Sequence, residues 1–146
     1  MTRLTLLAAA LALATPLLAF PPAVHAADDT LFAALGGLDG VTRLADGLVA
    51  RATTDPRIAK FFDGVDQAHL RAQLAGQFCQ LSGGPCTYKG PTMKVAHQDM
   101  DLRAADFNAL VEDLQQAMDA QGIPFRVQGR LLALLAPMHR DIVNTH

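Results

Sequence analysis

The chain has 146 residues, of which 12 are basic and 14 acidic, so its net charge is −2, and it contains two cysteines and five histidines. A mildly acidic surface argues against nucleic acid or an anionic membrane as partner. Two cysteines in a Cys-x6-Cys arrangement, with no paired histidine motif, make a poor zinc site.

The first 26 residues read as a secretory signal peptide. Arg3 supplies a positive start, Leu4 to Leu18 an alanine- and leucine-rich stretch, and Val24-His25-Ala26 a small-x-small cleavage signal, with cleavage expected after Ala26. The alternative is a membrane anchor. About 20 apolar residues are needed to span a bilayer, and this run is broken by Pro16, Pro21 and Pro22, so no stable anchor is expected after cleavage. The location expected is periplasmic or secreted. Residues 27–146 remain, a stretch of 120 residues with a net charge of about −3. That is enough chain for one domain around a single core and too little for two.

Within this domain apolar residues recur at three and four rather than at two, which predicts an all-α fold. Leu31 to Leu35 form a short opening segment that Gly36-Gly37 breaks. Asp39 is placed to cap a helix carrying Val41, Leu44, Ala45, Leu48 and Ala52 on one face, and Asp55-Pro56 ends it. Ile58, Phe61 and Phe62 fall on a tight connection. Asp66 then caps a helix whose inner face reads Leu70, Leu74, Phe78 and Leu81.

Gly83-Gly84-Pro85 stops that helix, and Gly90 and Pro91 leave room only for a short one ending near His97. Two longer helices follow. The first carries Phe107, Leu110, Val111, Leu114 and Met118 and stops at Gly122; the second opens at Pro124 and aligns Val127, Leu131, Leu134, Met138 and Ile142. Pro137 lies inside this last pattern and predicts a kink at the preceding turn.

Cys79 and Cys86 flank the Gly-Gly-Pro turn. In an oxidising compartment the pair could close a small disulfide loop, the alternative being two separate buried thiols. Catalytic motifs that work without a cofactor are absent: there is no nucleophile elbow, no Walker loop and no His-Glu-x-x-His pair. Among the histidines, His25 lies in the signal and His146 at the terminus. His139 follows Met138 near a helix end, where a cation complements the dipole, and His69 is expected to point away from the Leu70/Leu74 stripe. His97 alone is expected to face the core. A neutral imidazole in an apolar helical pocket can hold a haem iron on one side and leave the other open to a diatomic gas.

The order and spacing of several short segments add to this reading. They are Leu35-Gly36-Gly37, Asp55-Pro56 with Phe61-Phe62, Gly83-Gly84-Pro85 with Tyr88 and Gly90, Met93 with Ala96-His97, and Ala136-Pro137. Together they resemble the group I truncated haemoglobins, small globins with a two-over-two helical sandwich around haem b. The resemblance covers essentially the whole of 27–146. It implies that His97 is the proximal iron ligand, that Phe62 wedges against the haem face, that Met93 lies one turn before the ligand, and that Tyr88 belongs to the preceding loop.

The chain also departs from the family pattern. Val49 falls where the resemblance implies a tyrosine that hydrogen-bonds oxygen, and Leu70 and Leu74 fall on two distal positions where glutamine is common. The distal side is therefore expected to be dry, with Gln73 and Gln77 at its edge. The function expected is reversible binding of oxygen, nitric oxide or carbon monoxide at an iron held by His97. Two rivals are a haem enzyme, acting as nitric-oxide dioxygenase or peroxidase, and a haem-free helical interaction module. An enzyme stabilising a charged intermediate needs a donor over the iron. It would also need an electron donor, which the sequence does not identify.

Overall fold

A computed structural model describes residues 30–144, and the signal-like segment 1–26 lies outside them. The described residues form seven α-helices and two 3-10 turns, with no strand. The helices are α1 (Leu31–Ala34), α2 (Gly37–Ala52), α3 (Gln67–Leu81), α4 (Met93–His97), α5 (Ala104–Ala120), α6 (Phe125–Leu135) and α7 (His139–Ile142). Helix α2 packs on both α3 and α5, and α6 packs on both α3 and α5, so two helix pairs stack as a sandwich. None of these helices is long and apolar enough to cross a membrane.

Local chemistry sets the helix ends. Helix α2 begins at Gly37, not beyond Asp39, because Gly36 takes φ 90°, which a side chain disfavours, and turns the chain directly into the helix. Asp39 consequently sits in the first turn, where its charge complements the helix dipole instead of capping. Asp66 does cap α3, its Oδ1 accepting from the His69 N–H at 3.0 Å. The Phe61-Phe62 connection is a 3-10 turn, Ala59–Phe62. At Pro137 the last helix breaks into a second 3-10 turn, Ala136–Met138, before α7 resumes at His139.

The core consists of the inner stripes that face each other across the sandwich: Val41, Leu44 and Leu48 of α2, Phe78 of α3, Met118 of α5 and Leu131 of α6, all fully or nearly fully buried. A smaller cluster of Ala52, Ile58 and Ala109 carries Phe61, Phe62 and Leu110 at its margin and forms one wall of the cavity described below.

Cys79 and Cys86 are joined in a disulfide with Cα atoms 5.7 Å apart, tying the last turn of α3 to the loop that leads to α4. For so short a loop, chain entropy gives about 2–3 kcal/mol of stability. Intact-mass analysis of protein purified without reductant should show the chain two hydrogens light, and reductant should lower its melting temperature. Quantitative alkylation of both thiols without reductant would contradict this.

One core group opposes folding. Asp113 of α5 is only 4% exposed, and its Oδ2 has no hydrogen-bond partner. Burial raises its pKa, reinforced by the nearby Asp55 and Glu112 carboxylates and opposed by Arg57 and Arg51. Because the folded-state value lies above the unfolded one, its contribution is most favourable below the unfolded pKa and is lost as pH rises towards the folded value. Asp113→Asn should therefore raise the melting temperature at pH 7 by about 3–6 °C, corresponding to roughly 1 kcal/mol. The gain should shrink towards pH 4; an equal gain at both pH values would refute the titration argument.

Candidate functional site

The site is built around the short helix that ends at His97. Thr92 caps this helix by accepting the Val95 N–H on its side chain at 3.3 Å. Within it, His97 Nδ1 lies 2.8 Å from the Met93 carbonyl oxygen. A carbonyl only accepts, so Nδ1 carries the proton and Nε2 keeps a free lone pair, the tautomer suited to binding a metal.

His97 lines three adjoining cavities. In the first it is joined by Val49, Phe62, Leu70 and Leu74, four of the positions singled out in the sequence, together with Phe61 and Phe107. Met93 and Tyr88 line the second, with His69, Gln73 and Gln77. Apart from Asp106 and His97 the first cavity is lined by apolar groups: Val49 and Leu48 come from the buried stripe of α2, Phe61 and Phe62 from the 3-10 turn, Phe107 and Leu110 from α5. Such a slot fits a flat, largely apolar macrocycle that brings its own metal. No group of three or more His, Cys, Asp or Glu side chains that could form an all-protein metal cage converges among the described residues.

The loop before α4 is held by polar contacts. The Tyr88 N–H donates to Gln80 Oε1 at 2.5 Å and its hydroxyl to the Pro91 carbonyl at 3.0 Å, and burial raises the pKa of the phenol. A Cβ at position 90 would collide with the Tyr88 phenol and the Gln73 amide as they stand, so glycine lets both side chains pack against the loop there.

Three placements differ from expectation. Gln77 is not at the edge: it is 8% exposed, and its Nε2 lies 3.4 Å from Met93 Sδ and 3.9 Å from Met138 Sδ. Its position follows from helical phase, three residues after Leu74 and seven after Leu70, which puts all three on one stripe. His69, though exposed, contributes to the cavity mouth and lies 3.5 Å from the Gln73 amide. His139 is half-buried at the start of α7 and meets the Phe107 ring edge-on with centroids 4.9 Å apart.

An all-helical sandwich with a single histidine in an apolar slot is the arrangement of a globin. A family profile described as Bacterial-like globin matches residues 30–144, and the chain belongs to that family as a group I truncated haemoglobin. Relatives include a group 1 truncated hemoglobin of Nostoc sp., 32% identical over 94 residues covering 64% of this chain and 80% of the relative. Another is that of Mycolicibacterium paratuberculosis, 25% identical over 113 residues, covering 77% and 83% respectively.

The crystal structure of truncated hemoglobin from Tetrahymena pyriformis in the Fe(III) form superposes with a TM-score of 0.76 at 26% identity, over 80% of this chain and 99% of that one. That protein was also solved with one tyrosine changed to phenylalanine and with each of two glutamines changed to glutamate. The glutamines lie 21 and 25 residues after the tyrosine.

Proposed function

We propose that this globin is exported and reversibly binds a diatomic gas at the iron of haem b held by His97. One observation carries the reading: His97 presents a nitrogen with a free lone pair, fixed in tautomer by the Met93 carbonyl, to a slot lined by phenylalanines and aliphatic side chains. When bound there, the haem supplies an iron with one coordination position available to the gas. The chain's own part is to orient the imidazole, exclude water and set the polarity of the opposite face.

Opposite His97 we place Val49, Leu70 and Leu74. Leu70 and Leu74 follow Val49 by 21 and 25 residues, the separations found between the tyrosine and the two glutamines varied in the Tetrahymena protein. All three are hydrocarbon here, and none can donate a hydrogen bond. That favours gas carriage or sensing over dioxygenase or peroxidase chemistry, which needs a donor where charge develops.

Export is supported by the Arg3 to Ala26 pattern and by the Cys79–Cys86 bond, which persists in oxidising compartments. The test is to express the full-length chain with haem supply, then fractionate the cells and take spectra of the periplasmic product. A Soret band that shifts with carbon monoxide, on a chain beginning at Ala27, is expected. A soluble product without a Soret band after haem reconstitution would leave the haem-free module as the answer.

A further inference from the structure

His97 closes a helix of five residues, a length that is not stable without support from the rest of the fold. The chain then bends sharply. Asp99 and Asp101 both have positive φ, 63° and 50°, a left-handed conformation uncommon for residues other than glycine, so the bend gains from support by its surroundings. Asn144, 47 residues beyond His97, supplies that support. Its Nδ2 donates to the His97 carbonyl at 2.9 Å, its Oδ1 accepts from the Leu102 N–H at 2.7 Å, and its own N–H donates to the Leu102 carbonyl at 3.1 Å. Both ends of the strained turn are thus tied to one residue. Among the described residues no other side chain bonds the His97 carbonyl, whose further partner is the Met100 N–H at 3.4 Å. Helix α7, which leads to Asn144, packs beside α4 and delivers the clamp.

We propose that Asn144 is the positioning residue for His97, fixing the backbone from which the imidazole projects and so the tilt at which Nε2 meets the iron. The inference rests on the reading of His97 as iron ligand. The imidazole is located by two restraints: its own Nδ1–H to the Met93 carbonyl, and the hold of Asn144 on its backbone. Removing the second leaves the tautomer unchanged but frees the helix end to rotate the ring. Asn144 is exposed, so its bonds act on geometry more than on global stability.

Two variants separate the bonds. Asn144→Ala removes both side-chain contacts, whereas Asn144→Asp keeps the acceptor for Leu102 and sets a carboxylate oxygen against the His97 carbonyl. In the ferrous, gas-free holoprotein, both should shift and broaden the iron–histidine stretching band in resonance Raman spectra. Both should also lose haem to an apomyoglobin acceptor about three- to tenfold faster, the factor expected for one hydrogen bond. An unchanged band in both variants would overturn the proposal. So would a wild-type band in Asn144→Asp alone, since the Leu102 contact would then be the one that matters. If the wild-type holoprotein lacks an iron–histidine band, the ligand assignment fails separately. Hydrogen exchange of the full chain then decides the clamp: the Leu102 amide should exchange about three- to tenfold faster in Asn144→Ala, and an unchanged rate would refute it.

Discussion

His97→Ala should abolish stable haem binding, leaving at most a weak, altered Soret band. Loss of an outer-shell partner of a metal ligand typically costs 10–100-fold in affinity, and loss of the ligand itself should exceed that. Neither of the other two described histidines is placed as His97 is. His69 is exposed at the mouth, and His139 is engaged edge-on with Phe107. His97→Gly should likewise lose haem and regain a near-native spectrum with millimolar imidazole, which would enter the vacated space and coordinate through the same nitrogen. Full haem content with an unchanged spectrum in His97→Ala would show a different axial ligand. Loss of that residual spectrum on adding His69→Ala would name it.

Helical periodicity and turn residues make the fold legible in the sequence. Leu44, Leu48, Phe78, Met118 and Leu131 lie on stripes of regular spacing and all reach the core. Asp66, Pro137 and the glycine pairs mark breaks that local sterics alone would produce. Position 39 shows the weakness of local rules, because Gly36 and Gly37 can both adopt conformations closed to other residues, and the helix starts earlier than a capping side chain would suggest. Polar residues were harder to place. Helical phase read against the Leu70/Leu74 stripe places Gln77 at the pocket edge, yet a residue three past Leu74 and seven past Leu70 still falls within the width of that stripe, and packing beside Met93 and Met138 buries it.

The Asn144 clamp left no sequence signal, because it joins a helix end to a tail 47 residues away through backbone groups that every residue possesses. Asp113 was similarly hidden. It shares a four-residue register with Ala109 and Ala117, both buried, but alanines mark an inner stripe too weakly for the sequence to show that the carboxylate lies on it. The packing thus brings Val49, Phe62, Leu70 and Leu74 to one cavity with His97, and the Asn144 clamp on the His97 backbone emerges only from the packed chain.

The apolar face opposite His97 has the most distinctive kinetic consequence. Oxygen gains more than carbon monoxide from a hydrogen bond when held at a ferrous haem, because it draws more negative charge, and bonds to charged groups are worth about 1.5–3 kcal/mol. A pocket without that donor should release oxygen about 10- to 150-fold faster than one that has it. Val49 is 1% exposed and lines the same cavity as Leu74 and His97, so Val49→Tyr would place a hydroxyl within the slot. The variant should slow oxygen release by a factor in that range while changing carbon monoxide release much less, and the ratio of the two off-rates is the quantity to measure. Gln77 is the internal control. Among the described residues its Nε2 donates to the thioethers of Met93 and Met138, which are weak acceptors, so a bound ligand could compete for it. If wild-type oxygen release is already slow and Gln77→Leu accelerates it, Gln77 is the donor, and the preference for gas carriage over dioxygenase chemistry falls. Fast wild-type release that Gln77→Leu leaves unchanged, together with slow release in Val49→Tyr, would locate the difference in the hydrocarbon at position 49.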